Sequence, residues 1–170
     1  TVSSSNPMPV LSKLDPASAS TQAALSGTLV KAWITCPAVA AKFSSVQIFN
    51  PVGSGVNLLI IGLAGYNTST SIKWYQHLTS NKLSTAGGYQ SVLKTGTAAL
   101  PIEMYYQNLN SKTATNALGV TVGATTPAGG SLQITGENIC ITEGYGLHYE
   151  ADAANIGITM TAHIIASSNS

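Results

Sequence analysis

The stretch EGYGLHYEAD, residues 143–152, holds the densest set of groups able to do chemistry: His148, Glu150 and Asp152 at i, i+2 and i+4. On a strand these three side chains leave one face. An imidazole with two carboxylates could bind Zn²⁺ or Ca²⁺, or pair a general base with an acid. Same-face neighbours on a strand stand about 7 Å apart, however, so three in a row do not converge on one small ion without a bulge. The set therefore reads as a polar outer face or a subunit contact, and no metal or other cofactor is expected.

A second stretch, KWYQH (73–77), puts Lys73, Tyr75 and His77 on one face of a strand and Trp74 and Gln76 on the other. Trp74 and Tyr75 could offer a flat, amphipathic platform to a sugar ring. The competing assignment is a core Trp beside a partly exposed Tyr. MYYQNLN (104–110), with Tyr105 and Tyr106, invites the same pair of readings. His163 lies opposite the apolar face of the last strand and fits a hydrogen-bonded surface or interface histidine better than a ligand. Asn67-Thr68-Ser69 is a formal glycosylation sequon, relevant only on a secretory route. There is no G-x-S-x-G elbow, the GSG at 53–55 fits a turn, and no Gly-rich loop opens a helix to hold a phosphate. The chain is read as a non-enzyme.

The elements that would carry these residues are strands. Period-2 or β-branched runs occur at 28–36, 44–50, 56–66, 70–79, 91–95, 102–108, 131–135, 138–143, 146–151 and 155–166. The last is the cleanest: Ile156, Ile158, Met160, Ala162 and Ile164 share one face. The run VNLLIIGLAGY (56–66) is nearly all apolar, which predicts a central strand covered on both faces. Between the second and third runs, Asn50-Pro51 and Gly53-Ser54-Gly55 predict a tight corner. PAVAAKF (37–43) is the best helix candidate, with Pro at its first position. A long loop with an edge strand at 120–122 is expected within residues 115–130. Short strands joined by Gly/Pro turns, with no fixed-period repeat, indicate an all-β, antiparallel β-sandwich of jelly-roll-like form.

The first 24 residues carry three prolines and many serines without either period. Residues 1–24 read as an extended N-terminal arm, and 25–170 as a single β-sandwich domain. Within the arm, Met8, Pro9, Val10, Leu11 and Leu14 are the candidate contacts to a neighbour.

Charged residues make up 8% of the 170, against roughly 25% in an average soluble domain. Arginine is absent and the formal net charge is +1. No basic stripe is available for a phosphate backbone, so nucleic-acid binding is not expected. No apolar run approaches the ~20 residues of a membrane span, and the N-terminus shows no secretory leader. Cys36 and Cys140 fit no zinc spacing; two buried thiols and one bridge are both compatible with their positions. A surface this poor in charge suits a chain packed against copies of itself or other proteins.

The corner IFNPVGSGVNLLI, together with the closing stretch TEGYGLHYEADAANIGITMTAHII, resembles small virion proteins of tailed bacteriophages. The ending TAHIIASSNS departs from the aromatic-and-acid ending of that group. The resemblance implies a jelly roll or related sandwich that forms trimers and decorates or cements a capsid. It would be assembled in the host cytoplasm, reside in the virion, and have other virion proteins, the major capsid protein first, as partners. The alternatives are a tail, fibre or receptor-binding part using Trp74, Tyr75, Tyr105 and Tyr106 on host glycans, or a secreted carbohydrate-binding sandwich.

Overall fold

A computed structural model describes residues 16–68, 71–96, 98–112, 121–126 and 131–168. Among the described residues eleven strands follow one helix: α1 (Pro16–Ser26), β1 (Leu29–Cys36), β2 (Phe43–Phe49), β3 (Val56–Asn67), β4 (Ile72–Thr79), β5 (Thr85–Ala86), β6 (Tyr89–Val92), β7 (Glu103–Leu109), β8 (Thr121–Thr126), β9 (Ser131–Ile141), β10 (Gly146–Ala154) and β11 (Ile158–Ser168). They form a five-stranded sheet, β6-β1-β11-β3-β9, and a six-stranded sheet, β5-β7-β2-β10-β4-β8. Each early strand pairs antiparallel with a late one: β1 with β11, β2 with β10, β3 with β9 and β4 with β8. A long hairpin rolled up on itself gives this order, and it is the order of a jelly roll. The short strands β5–β7 are an insertion between β4 and β8 that widens both sheets.

The core lies between the sheets. Val30, Ala32 and Ile34 of β1, Leu58 and Ile60 of β3, and Ile158, Met160, Ala162 and Ile164 of β11 meet Val46, Ile48, Leu147, Tyr149, Ala151, Ile72 and Trp74 from the other sheet. The face predicted for the last strand is therefore the buried one. Trp74 is 1% exposed, and its indole lies so close to Gly65 across the sandwich that a Cβ there would stand 3.0 Å from Cζ2. A side chain at position 65 would require this buried ring to give way by a few tenths of an ångström.

Four expectations need correction. Strand β3 is interior to its sheet, but only one of its faces reaches the core. Ile61 bulges against β11, so the buried set shifts from Leu58 and Ile60 to Leu63 and Gly65. This change of phase makes the run look uniformly apolar. Residues 37–42 are irregular, not helical, with Ala41 at φ 57° and Lys42 N bonded to Val39 O. Pro16–Ser26 is an α-helix and not extended; Ala23 is buried and its carbonyl accepts from Thr28 N. Met8, Pro9, Val10, Leu11 and Leu14 lie outside the described residues. The two runs around Gly136 belong to one strand, β9.

The corner at Asn50 joins the sheets. Asn50 is fully buried; its Nδ2 donates to Val56 O at 2.8 Å and Ile141 O at 3.0 Å. Its backbone exchanges bonds with the β9–β10 turn, Asn50 N to Tyr145 O and Gly144 N to Asn50 O. The Glu143 carboxylate accepts from Gly53 N, Gly55 N and Ser54 Oγ. Gly53 and Gly55 sit at φ 81° and 72° with open space where a Cβ would go, so conformation and not room selects glycine. Two crossings between sheets, β2 to β3 and β9 to β10, are thereby tied to one another. Asn50→Ala takes a donor from the buried Ile141 carbonyl and from the part-buried Val56 carbonyl, which keeps Ser54 Oγ at 3.2 Å, and is expected to cost about 1–3 kcal/mol, read as a lower urea midpoint with an unchanged m-value.

Candidate functional site

Polar side chains cluster on the outer face of the six-stranded sheet, the side away from the core. Alternation places Ser45, Gln47 and Phe49 of β2 there, with His148 and Glu150 of β10 and Tyr75 and His77 of β4. The register aligns them in rows: Gln107–Ser45–Glu150–Tyr75 and, beside it, Tyr105–Gln47–His148–His77. An exposed outer face would be solvated, yet Ser45, Gln47 and Glu150 have no exposure, and His148 and His77 have 3% and 6%.

The cover is the chain's own segment 80–84, a strap running from β4 across β10 and β2 to β5. Gln47 clamps it in both directions, Nε2 donating to Asn81 O at 2.8 Å and Oε1 accepting from Leu83 N at 3.0 Å. Gln107 Oε1 accepts from Ser84 N at 3.1 Å. Lys82 Nζ pairs with Glu103 at 2.6 Å and lies 4.7 Å from the centre of the Phe49 ring. On the far side Lys112 Nζ stands 5.5 Å from the Phe43 ring and 5.6 Å from that of Tyr75.

Beneath the strap lies a recess of about 340 Å³, lined by His77, His148, Gln107, Leu109, Leu83 and Asn81 among others. The two imidazoles are cross-strand partners with ring centres 4.4 Å apart. His77 Nδ1, His148 Nε2 and Ser45 Oγ are buried without a hydrogen-bond partner. Burial, and secondarily the neighbouring His77, push His148 down to about 3 from 6.5. Burial also lowers His77. Both rings are neutral at pH 7, so the 3.8 Å approach of His148 Nε2 to Glu150 joins a carboxyl to an uncharged imidazole.

The residues singled out in the sequence are thus partly gathered and partly dispersed. His148 and Glu150 share the covered face, joined by His77 and Tyr75. Asp152 is drawn away to accept from Lys73 N at 2.9 Å, past an irregularity in the β10–β2 register. Among the described residues no group of three His, Cys, Asp or Glu is disposed to hold a metal ion. Trp74 faces the core and is withdrawn as a glycan contact; Tyr75 remains half-exposed under Lys112. Tyr105 packs edge-on against Phe49, and Tyr106 packs against the core. His163 is exposed on the other sheet. Asn67 is buried at 6% exposure, which removes it as a glycan acceptor. Both cysteines are free, Cys36 buried and Cys140 exposed on edge strand β9. Sequence reasoning missed His77 opposite His148, and Gln47 as the clamp. The only trace of the cover is an outward face on β2 built from Ser and Gln with no charge.

No family model, no curated protein and no solved structure matches this chain.

A buried neutral histidine ties stability to pH. The unfolded chain protonates His148 near 6.5 while the folded chain resists until about 3. Its contribution is therefore complete above the unfolded value and is lost as pH falls, on the order of 2 kcal/mol by pH 5. Glu103 is held below its usual value by Lys82 and titrates under this window. The urea midpoint should fall between pH 7 and pH 5, and His148→Gln should flatten that slope; parallel slopes would refute the assignment.

Proposed function

We propose that this chain is a non-enzymatic virion structural protein, a capsid decoration or cement subunit acting as a homotrimer on the major capsid protein. The observation that carries the reading is the outer face of the five-stranded sheet. Its rows run Tyr89–Trp33–Thr161–Ala64 and Ser91–Lys31–His163–Gly62. Trp33 and Tyr89 stack with ring centres 5.4 Å apart, and the Thr35 and Thr159 hydroxyls bond at 2.9 Å. Among the described residues of these rows Lys31 is the single charge. A face this poor in charge with paired aromatics has the composition of a protein interface core, where charge is depleted and Tyr and Trp are enriched. Jelly rolls also serve as lectins and other binding domains, so the fold supports this reading only in combination with that face.

The test is reconstitution. Purified chain should run as a trimer in native mass measurement and co-sediment with capsid shells that lack it. Trp33→Glu, which puts a charge on the outer face and removes the stacking on Tyr89, should cost about 0.5–1.5 kcal/mol of stability, leave the chain folded and abolish co-sedimentation. Wild-type chain that stays monomeric and in the supernatant, or a particle map in which Trp33 faces solvent, would overturn the proposal.

A further inference from the structure

We propose that the recess under the 80–84 strap is a binding site for a neutral, hydroxyl-rich ligand: a single sugar ring, free or at the end of a glycan. Three observations converge. The recess, at about 340 Å³, lies within the range of small-ligand pockets, roughly 300–1,000 Å³. Its wall mixes the aliphatic side chains of Leu83 and Leu109 with polar groups of His77, His148 and Gln107. His77 Nδ1 and His148 Nε2, in residues more than nine-tenths buried, have no hydrogen-bond partner.

The chemistry of those atoms selects the ligand. The unpartnered nitrogen of a neutral imidazole is either an N–H or a lone pair, according to tautomer. A hydroxyl both donates and accepts, so it satisfies either form. Gln107 spends its Oε1 on Ser84 N, which leaves its Nε2 as a further donor. The C–H face of a sugar ring suits the leucines. An anion is disfavoured by the Glu150 carboxyl 3.8 Å from His148 Nε2, and by Lys82 being engaged with Glu103. A metal ion lacks a third ligand of suitable disposition among the described residues. The site goes beyond the shell-docking reading and is separable from it, because Trp33 and the recess lie on different sheets.

The chain has three histidines, and His163, on the opposite sheet, is a built-in control. Ring ¹H–¹³C signals of the full chain are followed while a panel of monosaccharides and their methyl glycosides is added. At least one sugar should shift His77 and His148 saturably and leave His163 in place. Leu109→Trp, which fills the recess, should weaken that binding by at least about tenfold. If that variant unfolds, Asn81→Trp at the exposed rim replaces it. A glycan array then separates the sources: tighter binding of extended chains than of the monosaccharide assigns a glycan terminus, and equal binding assigns the free sugar. The proposal is overturned if no sugar moves the two signals or if all three histidines shift together. It is also overturned if Zn²⁺ or phosphate moves His77 and His148 where sugars do not.

Discussion

A buried amide between two inter-sheet crossings sets the spacing that the other contacts inherit. Asn50 Nδ2 reaches Val56 O, where β3 begins, and Ile141 O, where β9 ends, so one side chain bonds carbonyls on two strands where one enters and the other leaves the five-stranded sheet. A backbone that changes sheets loses its ladder partners at the crossing, and buried carbonyls left unpaired are costly. Glu143 performs the complementary task for the amides of Gly53 and Gly55. The Asn50 corner thus ties two crossings together through side-chain and backbone bonds.

With that end of the sandwich fixed, the two outer faces are free to diverge. The face of the five-stranded sheet keeps threonines, Trp33, Tyr66 and Tyr89 toward solvent, with no chain segment laid over the described rows. The opposite face is roofed by the insertion between β4 and β8, and its polar residues are turned into an interior. Gln47 shows the difference in kind. On a solvated strand it would be an ordinary surface residue; here its amide reproduces a strand edge for the strap, one donor and one acceptor for residues 81 and 83.

How much of this was legible follows the range of the interaction. Strands, the Asn50 corner and the edge position of the 121–126 strand could be read because alternation and turn chemistry are local properties. The buried face of β11 was legible for the same reason, since Ile156 through Ile164 alternate without a break. Strand β3 was misread because its bulge at Ile61 changes phase inside an apolar run. The 16–26 helix was masked by the serines and Pro16, the latter being compatible with a first helical turn. His148 and Glu150 were recognised, but their partner His77 lies 71 positions from His148, and only the β4–β10 register brings the rings together. The strap was not legible, because SNKLSTAGG has the composition of a Gly/Ser-rich link; what makes it a roof is Gln47, whose role no local pattern announces.

The manner in which the roof is attached bears on what the recess can do. The strap is held chiefly by side-chain amides of Gln47 and Gln107 and by the Lys82–Glu103 pair, which is exposed. Exposed ion pairs contribute little, and each neutral hydrogen bond has only a modest net worth. Leu83 is the strap's buried apolar residue. A segment fastened this way has less to lose on opening than the strands beneath it, so it belongs to the low-stability end of the molecule, where ligand-covering elements are drawn from. The histidines themselves sit on β4 and β10, paired strands interior to the sheet, whose ladder does not depend on the strap. The imidazoles are thus fastened by the ladder of paired strands and the cover by a few side-chain bonds, so opening the strap would ask for no change in the core.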